Sequence, residues 1–141
     1  MGRWMRRGLW ARDWKIRLFR KERGWWGGKD PHDRVELKNG SKIGFLKGEL
    51  LHYVYRDLSH HIETVNKYTS IISGEKDAKS RTKTILYMVF SPILTFLKGY
   101  FLKMGFLEGV PGFIQSAMGS FYAFMKYAKL YERGEKEGWG D

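Results

Sequence analysis

The chain has 141 residues, a formal net charge of +11 and a pI near 9.9, with 43% apolar residues and no cysteine. That length suits one domain and that apolar content permits a core, so neither disorder nor a disulfide or thiolate-zinc framework organises it. The charge is uneven: residues 1–29 carry ten Lys or Arg against Asp13 and Glu22, a net of +8, and five of the six Trp lie within the first 26 residues.

Taken in chain order, Trp14, Ile16 and Leu18 alternate with Lys15, Arg17 and Phe19, which predicts a half-buried strand. Gly24, Gly27, Gly28 and Pro31 predict a loop. Asn39-Gly40, between alternating runs at 35–38 and 41–45, predicts a β-hairpin, because a tight turn of this kind needs positive φ at both central residues. Leu51, Tyr53 and Tyr55 alternate with His52, Val54 and Arg56 and suggest a further strand.

A helix begins near Asp57 or Ser59, either of which can cap it, and Leu58, Ile62, Val65, Thr69 and Ile72 define its face. The polar stretch 74–83 closes it. Residues 84–104 are apolar on nearly all sides, and Pro92 is expected to kink or restart that helix because it lacks an N–H. Gly105 and Gly109 bracket a turn. Pro111 suits the first turn of a last helix running to about Arg133, with a polar tail at 134–141. Gly112, Ser116 and Ser120 recur every four residues, and Gly119 pairs likewise with Ala123; such spacing lets helices approach closely, in a membrane or in a soluble pair. The expected fold class is α+β, a small antiparallel β segment followed by three or four helices.

No secretory signal is evident, since residues 1–20 are basic throughout. The uncharged runs 84–97 and 110–125 are both shorter than the roughly 20 residues of a bilayer span, and both are flanked by Lys. They suit a membrane surface or a buried helical core.

Several ordered blocks carry a resemblance. They are Gly2-Arg3-Trp4, Trp10-Ala11-Arg12-Asp13, Arg17-Leu18-Phe19-Arg20, Pro31-His32-Asp33, Leu46 to Asp57, Gly105-Phe106-Leu107-Glu108-Gly109, and Phe124 to Leu130. In this order the set resembles the C-terminal portion of family 2 glycosyltransferases of the lipopolysaccharide inner-core type. The resemblance implies that residues 1–56 are the acceptor-side end of a catalytic domain and 57–133 a helical appendage. It implies inverting transfer of a sugar from a nucleotide donor to a saccharide acceptor, at the inner face of the cytoplasmic membrane. The family pattern also implies an N-terminal half carrying an Asp-x-Asp motif and a divalent metal, Mg or Mn. This sequence contains no Asp-x-Asp, so the chain is expected to be inactive alone and to need that half as a partner.

The resemblance places Asp13 where a carboxylate would take the proton of the attacking acceptor hydroxyl; a salt bridge to Arg12, Lys15 or Arg17 is its structural alternative. His32 and Asp33 can complete a metal site or orient a diphosphate, although the family usually has Glu where Asp33 stands; capping of a loop by Asp33 is the other reading. Arg17, Arg20 and Arg56 can hold phosphate oxygens, or be solvated surface. Tyr53, Tyr55, Phe45 and the N-terminal Trp residues can stack on sugar rings. Interleaved basic and aromatic residues also suit single-stranded nucleic acid, but no nucleic-acid module is present. The competing function is a small basic membrane-surface protein without catalysis, bound to anionic lipid and positioning other proteins.

Overall fold

The computed structural model describes residues 5–10, 14–28, 34–48, 55–75 and 80–139. The chain divides into two compact units, one of Trp14–Val54 and one of Met1–Asp13 with Tyr55–Asp141. The class is α+β: a two-stranded antiparallel sheet precedes three long helices.

In the first unit, β1 (Gly24–Gly27) pairs with β2 (Arg34–Leu37), with Trp25 opposite Glu36 and Trp26 opposite Val35. Three expectations are corrected here. The chain reverses at Asn39-Gly40, with Ser41 bonded back to Lys38 through both its N–H and its hydroxyl, but only Gly40 takes positive φ, at +78°, so this is not the turn with both central residues at positive φ. Residues 41–45, however, join no strand, and β2 takes the Gly-Trp-Trp-Gly segment as its partner. Turn chemistry favours reversal locally, but ladder partners are chosen by cross-strand side-chain packing, and here Trp26 has Val35 opposite it and Phe19 beside it. A Cβ on Gly24 would lie 2.9 Å from the Glu36 carbonyl oxygen and 3.0 Å from Phe19, so glycine is what lets Phe19 close over the sheet. Residues 14–19 likewise carry no ladder, although their alternation is real. Trp14 meets Phe45 edge-on at 5.0 Å, and Phe19 meets Trp26 at 6.4 Å. Of the further strand expected at 51–55, residues 51–54 lie outside the described residues and Tyr55 is in no strand.

In the second unit, α1 (Leu58–Glu75) opens on Asp57, whose carboxylate accepts the His60 N–H at 2.8 Å. Its buried face is His61, Val65, Thr69 and Ser73, a strict i+4 row. Leu58 and Ile62, expected inside, are exposed. The face is rotated because the neighbouring helix accepts small and polar groups: Thr69 and Ser73 satisfy their hydroxyls on the carbonyls of Val65 and Ser70.

α2 (Arg81–Leu97) starts at Ser80, whose hydroxyl accepts the Lys83 N–H, and runs unbroken through Pro92. The expected restart at Pro92 does not occur. Proline costs one intrahelical bond, and here its own carbonyl gains one, from the Ser120 hydroxyl at 2.7 Å. A wide π-type turn over Lys98–Leu102 and a short 3-10 turn over Gly105–Glu108 then lead into α3 (Val110–Glu137), which carries Pro111 in its first turn. α3 outruns its expected end, and Trp139 folds back over Gly134 and Tyr131, with its indole N–H on Glu135.

α3 is the central element, packed against both α1 and α2. The small-residue row packs on α2 and on the turns after it: Ser120 bonds to the Pro92 carbonyl of α2, and Gly112 and Ser116 are buried beside Gly99 and Gly105 of those turns. On the α1 side, the Lys129 ammonium donates to the Asn66 carbonyl and side chain and to Ser70, at 2.6 to 2.7 Å, while burial lowers its pKa. Replacing Lys129 with Met is expected to cost about 1–2 kcal/mol, because three acceptors lose a charged donor near the surface; urea titration followed by circular dichroism measures it.

Candidate functional site

Asp13, His32 and Asp33 lie outside the described residues. Arg17 and Arg20 are exposed in the sheet-bearing unit, three residues apart on extended chain, where Arg20 also accepts the Arg23 N–H that opens a 3-10 turn. Arg56 belongs to the helical unit and is exposed, its backbone N–H donating to His60 Nδ1 at 3.3 Å. Among the described residues no three His, Asp or Glu side chains converge, so these residues alone do not make a divalent-cation site.

At the start of α1, an aromatic and histidine cluster forms around Tyr55. The His61 ring stacks on Tyr55 at 3.7 Å and 15°, and Trp10 lies 5.4 Å from Tyr55 and 5.1 Å from His61. Burial, followed by the neighbouring His60, pushes the His61 pKa down to about 4, so its imidazole is neutral at physiological pH. Burial likewise raises the phenols of Tyr55 and Tyr122, and each feels Tyr68. One face of Tyr55 is thus already covered by His61, which leaves less of it for stacking on a sugar than its sequence position suggested. Beside the cluster, His60, Glu63, Thr64, Lys67 and Tyr68 line a shallow open depression of about 300 Å³ on α1. Of its polar groups, the Thr64 hydroxyl already donates to the His60 carbonyl at 2.7 Å. The adjacency of His60 and His61 on different faces is as helix geometry requires: one is half-buried and the other is core.

The second constellation lies where α2 turns into α3. Residues 5–10 cross this turn, with the Gly8 N–H on the Lys103 carbonyl at 2.9 Å and the Arg6 N–H on Glu108 Oε1 at 3.2 Å. Leu9 enters a notch between Gly99 and Gly119, where any Cβ would collide with it. Glu108 is 6% exposed and Gln115 is fully buried beside Gly8. The Gln115 amide has no hydrogen-bond partner among the described residues. Sequence reasoning missed Glu108 and Gln115 as buried groups. The available signal was their setting, a Glu between Gly105 and Gly109 and a Gln one position before Ser116 in the small-residue row. This turn fastens residues 5–10 onto the helical unit through backbone and carboxylate hydrogen bonds together with the packing of Leu9.

The chain is similar to lipopolysaccharide core biosynthesis glycosyltransferase LpsC of Rhizobium meliloti, with 27% identity over 119 residues, 84% of this chain and 44% of LpsC. It is also similar to uncharacterized glycosyltransferases of Rickettsia typhi, 28% identical over 72% of this chain and 36% of that protein, and of Rickettsia prowazekii, 26% identical over 70% and 35%. The chain therefore spans less than half the length of these curated relatives. No protein-family profile matches it, and no solved structure does.

Proposed function

We propose that these 141 residues form the C-terminal, acceptor-side portion of a glycosyltransferase that builds lipopolysaccharide or another envelope polysaccharide at the inner face of the cytoplasmic membrane. The observation that supports this most is the similarity to LpsC, which runs over 84% of the chain and agrees with the ordered motifs from Trp10 to Leu130. In the proposed reaction an acceptor hydroxyl attacks the anomeric carbon, the nucleoside diphosphate leaves, and the configuration inverts. Asp13 takes the hydroxyl proton, a role that typically contributes 10²–10⁴-fold. Arg17, Arg20 and Arg56 supply positive charge toward phosphates of the donor or of a lipid-linked acceptor. His32 and Asp33 contribute to the diphosphate or metal side, the metal being supplied chiefly by the Asp-x-Asp half.

The test is sugar transfer to a lipid-linked saccharide in vesicles, by the chain alone and by the chain combined with an Asp-x-Asp-bearing N-terminal half. The expected outcome is no transfer alone, transfer by the combination, and a loss of about 100-fold or more with Asp13→Asn in the combination. Turnover by the 141 residues alone would overturn the division of labour, and a combination that is inert with every nucleotide sugar would overturn the transferase reading.

A further inference from the structure

Among the described residues, the buried apolar side chains are only Val65, Ala123 and Leu130, whereas Thr69, Gln115 and Ser116 are the largest fully buried ones. The large apolar residues are outside. Ile85, Leu86, Tyr87, Val89, Phe90, Ile93, Leu94 and Leu97 are all exposed, and at 3.6 residues per turn they cover about half the circumference of α2. The strip continues onto Phe101, Leu102, Phe106, Leu107 and Val110 at the turn into α3, where Leu102 is 79% and Val110 70% exposed. Helices that meet through small and polar groups and turn large apolar groups outward have the packing of helices whose surroundings are lipid.

Charge places the lipid more narrowly. Lys83 flanks the strip at one end, and Lys98 and Lys103 at the other, all of them exposed, whereas Arg81 is held by Glu135 and the Tyr131 hydroxyl of α3. The bonds of Gly8 and Arg6 to Lys103 and Glu108 bring the exposed Arg6 and Arg7 to that second end. Arg81–Leu102 has 22 residues and is apolar enough to cross a membrane, yet the uncharged run between Lys83 and Lys98 is 14 residues. At 1.5 Å per residue that is about 21 Å, well short of a hydrocarbon core of about 30 Å. Lysines at both ends instead sit level with headgroups when the helix lies in the interface plane. Lys129, by contrast, is turned onto α1 and contributes nothing to this face.

We infer that the outer face of α2, with the turn at 98–110, is an in-plane docking surface for an anionic lipid bilayer, in which Leu86, Phe90, Leu94 and Leu97 enter the acyl boundary while Lys83, Lys98, Lys103, Arg6 and Arg7 engage lipid phosphates. The inference deepens the membrane-face location proposed above, but it requires no catalysis, so transfer assays and binding assays can fail separately.

The chain has no cysteine, so a single introduced one carries an environment-sensitive dye uniquely. The dye goes on Leu94→Cys, and on Lys67→Cys of α1 as reference. Vesicles containing phosphatidylglycerol are expected to bind the chain and shift the dye at 94 to a nonpolar signal, with no shift at 67. Phosphatidylcholine vesicles are expected to bind weakly, and high salt to release the chain. Lys98→Gln with Lys103→Gln should weaken binding about 25-fold, at roughly fivefold for each basic residue at an anionic surface. Leu94→Glu or Leu102→Glu should weaken it about tenfold or more while leaving the helical circular dichroism intact. The inference is overturned if anionic vesicles bind nothing, if binding ignores both lipid charge and salt, or if the dye at 94 is already nonpolar without lipid in a chain that sediments as a dimer.

Discussion

Gly112→Val is expected to lower the stability of the helical unit by about 3 kcal/mol, and Gly112→Ala by about 1–2 kcal/mol, read as shifts in the urea midpoint. Gly112 lies in the first turn of α3 and is buried. Helix propensity alone predicts the opposite sign, since Ala is better than Gly in a helix by about 1 kcal/mol. Space decides the sign instead. A Cβ here would overlap the Gly105 carbonyl oxygen and lie 3.0 Å from the Glu108 Cβ. The obstacle is backbone, which cannot rotate away, so the 3-10 turn must move and release Glu108 from Arg6. Overpacking of this kind costs about 1–3 kcal/mol or more. Gly74→Ala, in α1, is the control. Nothing lies within 4 Å of a Cβ there and the residue is helical, so no loss of stability is expected. Equal effects at the two positions would refute the steric account.

Acidification is expected to destabilise the same unit by about 2 kcal/mol as pH falls from about 6.5 to about 4, through His61. The folded-state pKa is depressed, to about 4 against the ordinary 6.5, chiefly by burial and then by His60. Above 6.5 the ring is neutral in both states. Between the two values the unfolded chain takes up a proton that the folded chain refuses, so stability is lost as pH falls and levels off below about 4. At about 1.4 kcal/mol per unit the whole shift would be worth about 3 kcal/mol, and screening by water beside the half-buried Tyr55 and His60 reduces this to about 2. His61→Phe keeps the stack on Tyr55 and removes the proton. Its stability should run flat over this pH range apart from carboxylate effects below about pH 5. A variant that follows the wild-type profile would assign the acid sensitivity elsewhere.

Features whose partners lie within four residues were legible from composition and spacing. Asp57 caps α1, Pro111 starts α3, Asn39-Gly40 reverses the chain, and Gly105 with Gly109 frames the turn between helices. Each depends on one backbone dihedral or one N–H, both of which travel with the residue. The resemblance to glycosyltransferases was also legible, because it rests on ordered residue types and needs no geometry, and the similarity to LpsC agrees with it. His61 was not legible as core. The Leu58, Ile62 and Val65 pattern points to another face, and only a neighbour that accepts Thr69 and Ser73 turns α1 to the i+4 row through His61.

By itself the sequence determined the class of the fold, the starts of α1 and α3, the apolar run from Thr84 to Leu97 and the lysines that bracket it. Only the tertiary structure decided that β2 pairs with Gly24–Gly27, that Glu108 is buried under Arg6, and that the apolar bulk of α2 faces outward while small residues of α3 meet α2 and the turns after it. The reason is that hydrophobic periodicity states how much apolar surface a helix has, whereas which side is covered depends on the steric fit of residues far apart in the chain. Here the closest fit is offered by the small ones.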